Sequence, residues 1–124
     1  MSTTIAATLT DAKNLLIEKG RTHTELVHPD TGCLCALGAI GVAVVGKDEL
    51  VEKGYKLFES WSFLRNEEIL EAVEAVAQEL EKAGLNVEAF DEVAPFCHVY
   101  RYNDNRSTTD EDVLAVFDRA ISRQ

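Results

Sequence analysis

The chain has 124 residues, enough for one domain that buries about two-thirds of its unfolded surface without disulfides or metals. Twelve basic residues against 22 acidic ones leave a net charge of -10 at pH 7, which disfavours binding to nucleic acids and to anionic membranes. Hydrophobic residues make up 46% and charged residues 27%, which excludes wholesale disorder. These values predict a single globular domain over residues 1–124, and any binding partner is expected to be basic.

The cysteines and the longest apolar run indicate the compartment of the protein. The three cysteines cannot all pair, and Cys33 and Cys35 are too close in sequence for an ordinary disulfide. The start of the chain does not show the basic and apolar regions of a secretory signal. The longest apolar run, Cys33–Val45, has 13 residues and falls short of the ~20 that span a bilayer. We therefore expect a cytoplasmic protein with reduced thiols and no membrane contact.

A helix followed by a polar connector is predicted at the N-terminal end. Apolar side chains recur at helical spacing up to Gly20, which supplies a stop signal. The candidate N-cap residues are three threonines: Thr4, Thr8 and Thr10. Residues 21–32 are polar, contain a turn at Pro29–Gly32 and allow a short extended piece at 24–28.

The central element is predicted to be a buried helix. Residues Cys33–Val45 contain no charged or strongly polar side chain, and a segment that is apolar on every side must be covered on every side. A run of this length favours a helix over a strand. Gly38 and Gly41 would lower the helix profile and let neighbouring helices approach closely. The candidate end residues are Asp30 or Thr31 before the helix and Gly46 after it.

Two further helices are predicted in the middle of the chain. The first is short, Asp48–Lys53, and is broken at Gly54 before a turn that carries aromatic residues. The second, Asn66–Gly84, is strongly amphipathic, with Asn66 as its cap and two glutamates in its first turn. Its inward stripe consists of Ile69, Val73, Val76, Ala77 and Leu80. The opposite side of this helix is acidic.

The C-terminal part is predicted to contain an extended piece, a loop and a final helix. Residues 96–102 are aromatic and β-branched, which favours an extended chain. Residues 103–109 predict a loop, and 110–122 the last helix, with Thr108 and Glu111 at capping-box spacing. The predicted fold class is therefore mainly α: a compact bundle of about four helices around the central apolar helix. The two extended pieces allow a short two-stranded pair.

Two short motifs stand out. The first is Cys35-Ala-Leu-Gly-Ala-Ile40 in the central helix. The second is Asn103-Asp104 followed by Thr109, Val113, Phe117, Asp118 and Ala120-Ile121. Together they resemble a family of small uncharacterised proteins from actinobacteria and their phages, whose pattern includes a Cys-x-x-Gly-Ala-Leu/Ile helix; Cys33 is additional to that pattern. Together with the first helix, these motifs cover about half of the chain, and the resemblance implies a compact helical domain without an assigned activity.

Cysteine and histidine side chains are numerous enough for a four-coordinate zinc site. The candidate ligands are Cys33, Cys35, Cys97 and His98, with His23 and His28 nearby in the sequence. A Cys-x-Cys spacing is not that of a zinc knuckle, and in a helix the two thiols would lie about 200° apart. The adjacent residues 97 and 98 of an extended chain would point to opposite sides. We therefore predict buried, metal-free cysteines and no cofactor.

Nucleophilic catalysis by a cysteine is a second chemical hypothesis. Cys33 or Cys35 would lie near a helix N-terminus, where the dipole favours thiolate. His98 could act as its base, oriented by Asn103 or Asp104. This chain order resembles that of papain-like hydrolases, but the sheet that carries their histidine is scarcely predicted here. In the simpler interpretation, Asn103 and Asp104 bind neighbouring backbone amides and fix how the last helix meets the core.

The strongest surface feature is the acidic side of the Asn66–Gly84 helix. Its side chains are Glu67, Glu71, Glu74, Gln78 and Glu81. Long-range attraction could steer a basic protein to this side, and the extreme form of this idea is DNA mimicry by a phage inhibitor. The alternative is an ordinary solvated helix face, a routine pattern. We predict a non-enzymatic protein-interaction module, a phage accessory or host-modulating protein, with a cysteine-dependent hydrolase as the alternative.

Overall fold

The fold is helical in the part of the chain that the structure describes. The computed structural model describes residues 4–23, 25–84 and 95–124, and no strand occurs among them. Its helices are α1 (Ile5–Lys19), α2 (Ala36–Val45), α3 (Lys47–Lys53), α4 (Glu67–Lys82), α5 (Pro95–Asp104) and α6 (Asp110–Ser122), with a 3-10 helix at Gly54–Phe58. The prediction of a mainly α fold is confirmed. None of these described helices has the length and apolar content needed to cross a bilayer.

Helix α2 lies at the centre of the bundle, as predicted. It contacts α1, α3, α4 and α5, and its first six residues are buried. A Cβ on Gly38 would lie 1.8 Å from the carbonyl oxygen of Leu26, and a Cβ on Gly41 would lie 2.6 Å from the Leu50 side chain. The close neighbour of Gly38 is therefore the backbone of the connector, whereas Gly41 meets α3.

The start of α2 differs from the prediction. The helix begins at Ala36, with Cys35 as its N-cap, so the prediction of Asp30 or Thr31 as the cap is wrong. The reason is Leu34, whose backbone pairs with the preceding connector and is held outside the helix. The helix can start only after this pairing ends.

The connector before α2 pairs with Leu34 on two sides. The amide of Leu34 donates to the carbonyl of Gly20 at 2.9 Å, and the amide of Thr22 donates to the carbonyl of Leu34 at 3.0 Å. Val27 forms an isolated antiparallel bridge with Leu34. Among the described residues, the predicted extended piece of the connector is thus reduced to one bridge, while Thr24 lies outside them.

The prediction of an extended chain at 96–102 is wrong, because these residues belong to α5. Pro95 occupies the first helical position, where the fixed φ of proline favours a helix. Packing against α2 and α4 overrides the β propensity of the aromatic and β-branched residues. The predicted two-stranded pair is therefore not formed by the described residues, and the predicted loop at 103–109 loses its first two residues to α5. The buried residues of α5 are His98, Val99 and Asn103.

The last helix has the predicted bounds but a shifted cap. The amide of Asp112 donates to Oγ1 of Thr109 at 3.1 Å, and the amide of Thr109 donates to Oδ2 of Asp112 at 3.0 Å. This capping box lies one residue after the predicted pair, Thr108 and Glu111. Thr108 is instead buried at the end of the loop.

Helices α3 and α4 agree with their predictions to within two residues, and α1 begins after the first of its three candidate caps. Oγ1 of Thr4 caps α1 by accepting from the amide of Ala7 at 3.0 Å, and Gly20 ends that helix. Oδ1 of Asn66 caps α4 by accepting from the amide of Ile69 at 3.0 Å. All five residues of the predicted inward stripe of α4 are buried.

Candidate functional site

Asn103 joins α5 to the start of α2. Its side chain is buried, and its Oδ1 accepts a hydrogen bond from the amide of Ala36 at 3.1 Å. Its Nδ2 donates to the carbonyl of Thr22 at 2.9 Å and to Oδ1 of Asp104 at 3.0 Å. The prediction that Asn103 fixes the last helix is wrong, because the amide it binds belongs to α2. Asn103 reaches this amide from the last turn of α5, where it lies in the helix and not in the predicted loop.

Arg21 fixes the start of the last helix. Its side chain is only 6% exposed, and its Nε lies 2.7 Å from Oδ1 of Asp110, the first residue of α6. Its Nη2 donates to the carbonyl of Thr108 at 2.8 Å, and its Nη1 donates to the carbonyl of Asn103. One guanidinium thus serves the last turn of α5, the following loop and the first turn of α6.

Cys35 lies at a helix N-terminus, as its chemistry would require, but it is buried. Its Sγ accepts a hydrogen bond from the amide of Gly38 at 3.2 Å. Burial raises the pKa of Cys35 to about 11; the Gly38 amide opposes this rise and the charge of Asp104 adds to it. Desolvation therefore outweighs the predicted effect of the helix dipole, and the thiol stays protonated at neutral pH.

The other candidate residues lie on two different elements. Cys33 is half-buried in the connector, and Cys97 is half-buried on α5. Burial raises the pKa of Cys97, and the charge of Arg101 opposes that rise. His98 is buried on α5, which packs against the helix that Cys35 caps. The histidine thus stands on a helix and not on a sheet.

The candidate zinc ligands do not form a cluster in the described structure. Within residues 4–23, 25–84 and 95–124, no group of three or more His, Cys, Asp or Glu side chains could hold a metal ion. Successive residues of a helix point about 100° apart, so Cys97 and His98 face different surroundings. Nδ1 of His28 accepts hydrogen bonds from the amides of Asp30 at 3.1 Å and Thr31 at 3.3 Å, which engages this ring in the turn before α2.

The outer side of α4, which we call the acidic face, is exposed to solvent. Its residues are Glu67, Glu71, Glu74, Gln78 and Glu81. Glu67 pairs with Arg65, whose Nε lies 3.1 Å from the carboxylate. For the other three glutamates, no Lys, Arg or His nitrogen of the described residues lies within 4.0 Å. Three carboxylates of the acidic face therefore have no paired cation in this part of the chain.

One glutamate of α4 points away from the acidic face. Glu79 is buried, pairs with Arg123 at the end of α6 and lies 3.7 Å from Nζ of Lys82. The cluster ties the C-terminal ends of α4 and α6 together. It also engages two cations that could otherwise have compensated neighbouring carboxylates.

A turn next to the acidic face exposes large apolar side chains. We call residues 59–66, between the 3-10 helix and α4, the aromatic turn. Phe63 is fully exposed, and Trp61 is 68% exposed. The amide of Leu64 donates to Oγ of Ser62 at 3.0 Å, and three further backbone hydrogen bonds close the turn. The backbone of the turn is therefore fixed while its aromatic side chains stand in solvent.

Comparison with known proteins assigns the chain to a family. Residues 1–123 match a family described as a family of unknown function (DUF6197). The chain belongs to DUF6197. No curated protein and no solved structure matches it. The match fits the expected kind of family, one without an assigned activity, while the actinobacterial or phage source and the two motifs stay predictions.

Two features of this DUF6197 chain do not follow from local patterns in its sequence. Arg21 binds carbonyls that lie 82 and 87 residues further along the chain, and no local pattern indicates such partners. Trp61 and Phe63 are large and apolar, and such residues are generally expected in the core. One sequence feature does indicate their exposure: both residues lie among serines just before the cap of α4, and such a position is typical of a surface turn.

Proposed function

We propose that this DUF6197 chain is a non-enzymatic protein-interaction module that binds a basic partner through the acidic face of α4. The observation that carries the proposal is the exposure of Glu71, Glu74 and Glu81 without a paired cation among the described residues. Surface charges of one sign attract a partner of the opposite sign and raise its association rate. In the cytoplasm, a phage accessory or host-modulating protein with such a face would meet a basic host protein.

The helix fixes the spacing of these charges. Positions three or four apart lie on the same side of a helix, so residues 67, 71, 74, 78 and 81 form one row. With a rise of about 1.5 Å per residue, the row is about 21 Å long. Several lysines or arginines at a comparable spacing are needed to match it. The proposed partner therefore presents an extended basic surface and not a single cation.

Capture from the lysate of a candidate host tests the proposal with two matched variants. The face variant replaces three glutamates by glutamine: Glu71, Glu74 and Glu81. The control variant does the same to three exposed glutamates of other elements: Glu18, Glu25 and Glu52. Both variants lose three negative charges, so a difference between them reports where the charges lie. We expect the wild type and the control to retain a basic protein that the face variant does not retain; equal retention by both variants contradicts the proposal.

The alternative function is a cysteine-dependent hydrolase that uses Cys33 or Cys35 with His98. The raised pKa of Cys35 makes it the weaker proposal, because the thiolate is the nucleophile. Labelling of the folded protein with iodoacetamide at neutral pH separates the two functions. The interaction proposal expects every thiol to react no faster than glutathione. Rapid labelling of one cysteine would favour the hydrolase.

A further inference from the structure

We propose that the aromatic turn anchors the partner of the acidic face, and that the bound part of this partner is a basic amphipathic segment. Apolar side chains of the segment would cover Trp61 and Phe63, and its lysines or arginines would lie opposite Glu67 and Glu71. The inference rests on the proposed function and adds to it an apolar anchor and the chemistry of the partner.

The exposed apolar surface of the aromatic turn is the first observation. Phe63, Trp61 and Leu64 are exposed within four residues of a turn that hydrogen bonds close. Apolar surface is unfavourable in water, and single exposed residues are common, whereas a contiguous patch with a polar rim marks an interaction site. Aromatic residues are enriched at the centres of interfaces, where a few of them carry most of the binding energy.

A row of aromatic rings connects one residue of the patch, Trp61, to the core. The ring of Trp61 lies 6.4 Å from that of Phe96 on α5. Phe96 lies 6.3 Å from Tyr55, and Tyr55 lies 6.3 Å from Phe58, which is buried in the core. These centroid distances are within the range of favourable aromatic pairs. The exposed indole therefore stands at the end of a packed row and has a defined position before any partner binds.

The chain that flanks the patch on both sides is acidic, and we call these flanking residues the acidic rim. Between Glu59 and Glu71 the chain contains one cation, Arg65, which pairs with Glu67 at 3.1 Å. The next cation toward the N-terminus is Lys56 on the 3-10 helix. The glutamates of this stretch are Glu59, Glu67, Glu68 and Glu71. The apolar anchor and the acidic rim thus belong to one continuous stretch of the chain.

Charge complementarity indicates which kind of partner binds the patch. A second copy of the chain would carry the same net charge of -10 and bring acidic rims against each other. A membrane with anionic lipids would meet the same repulsion. A basic amphipathic segment complements both the apolar centre and the acidic rim, and helices of this kind commonly dock through apolar residues at helical spacing.

Intrinsic fluorescence tests the inference because Trp61 is the only tryptophan of the chain. The probes are three tryptophan-free helical peptides with the same leucine face and a polar face of lysine, glutamine or glutamate. We expect the lysine peptide to shift the emission of Trp61 to shorter wavelength in a saturable way, and the glutamate peptide to leave it unchanged. Phe63→Ser is expected to weaken lysine-peptide binding by about tenfold. The control Ile17→Ser, at an apolar residue 60% exposed on α1, is expected to leave it unchanged.

The same titrations define the results that overturn the inference. Circular dichroism is expected to show that Phe63→Ser folds normally, because the exposed ring does not pack in the core. Unchanged emission with the lysine peptide, or equal binding by Phe63→Ser, overturns the anchor. An emission shift that appears when the protein concentration alone is raised would indicate a second copy as the occupant and would also overturn the inference. An emission shift caused by phosphatidylglycerol vesicles in place of the peptide would overturn it as well.

The face variant distinguishes failure of the anchor from failure of the proposed function. If Phe63→Ser binds the lysine peptide normally but the face variant does not, the acidic face binds without an aromatic anchor and this inference is wrong. If Phe63→Ser loses binding while the face variant keeps it, the proposed role of the acidic face is wrong. We expect both variants to weaken binding.

Discussion

One guanidinium connects three parts of the chain. Arg21 donates to the carbonyls of Asn103 and Thr108 and pairs with Asp110, although its own position lies just after α1. Both carbonyls are part-buried, so an apolar replacement at position 21 leaves them without this donor. At the scale of single residues, this is the contact that most directly sets the position of the last helix.

Arg21→Ala is expected to lower the free energy of unfolding by about 2–4 kcal/mol, because a hydrogen bond to a charged group contributes about 1.5–3 kcal/mol. Arg21→Lys should recover part of this loss, since an ammonium lacks the planar fork that serves several acceptors. Urea denaturation measures both values. As a control, Asp110→Asn should cost less than about 1 kcal/mol, because that carboxylate is mostly exposed. A loss below about 1 kcal/mol for Arg21→Ala contradicts the role assigned to it.

Cys35 is expected to make stability fall at alkaline pH. Burial raises the pKa of its thiol from 9.0 to about 11 in the folded protein. Between these values the unfolded chain has lost the proton and the folded one has kept it, so the free energy of unfolding falls by about 1 kcal/mol per pH unit. Cys35→Ser retains an N-cap but does not titrate. Urea denaturation across this range should give a shallower decline for Cys35→Ser, and parallel curves would refute the assignment.

Close packing of α2 depends on the atoms that lie nearest to its two glycines. A Cβ at position 38 would collide with a backbone carbonyl, that of Leu26, at 1.8 Å. A Cβ at position 41 would meet the side chain of Leu50 at 2.6 Å, and a side chain can rotate away more easily than a backbone can move. At the scale of elements, Gly38 therefore fixes the connector against the helix.

Gly38→Ala is expected to destabilise the protein by about 2–3 kcal/mol, because displacement of the connector outweighs the gain of about 1 kcal/mol in helix propensity. Gly41→Ala should cost less, since only the end of Leu50 must adjust. Thermal unfolding of the two variants side by side measures the difference. A melting temperature for Gly38→Ala at or above that of the wild type would show that the connector can move away from the helix without loss of stability.

Local signals explain which elements the sequence predicts. Helices α1, α4 and α6 carry a capping side chain and an apolar stripe, and glycines mark the ends of α1 and α3, so their bounds follow from short stretches of chain. Helix α5 has the composition of a strand, and only its packing on α2 and α4 makes it a helix. The start of α2 depends on pairing between Leu34 and residues of the connector, which spacing within α2 does not indicate.

At the candidate site too, some features follow from local sequence signals and others depend on tertiary packing. The acidic face follows from the three-and-four spacing of its glutamates, which is visible in the sequence. Burial of Cys35 reverses the pKa expected from its place at a helix N-terminus, because desolvation depends on what covers the thiol. Exposure of Phe63 is likewise a property of the tertiary structure, since an apolar side chain alone indicates burial.

The charges of the whole molecule are unevenly compensated. Six ion pairs connect charged side chains in the described part of the chain: Lys13–Asp118, Arg21–Asp110, Lys53–Glu49, Arg65–Glu67, Lys82–Glu79 and Arg123–Glu79. Only one of them lies on the acidic face. The net charge of -10 therefore leaves a field at α4 that acts over about 10 Å at moderate salt. At the scale of the whole molecule, this field predicts salt-sensitive binding.

The dissociation constant of the captured partner at low and high NaCl tests most directly whether the acidic face binds a basic protein. The wild type and the control variant are expected to lose on the order of tenfold in affinity at high salt, because the Debye length falls from about 30 Å at 0.01 M to about 3 Å at 1 M. The face variant is expected to bind weakly at both concentrations, with little salt dependence. Equal affinities and equal salt dependence for all three proteins would contradict the proposed function.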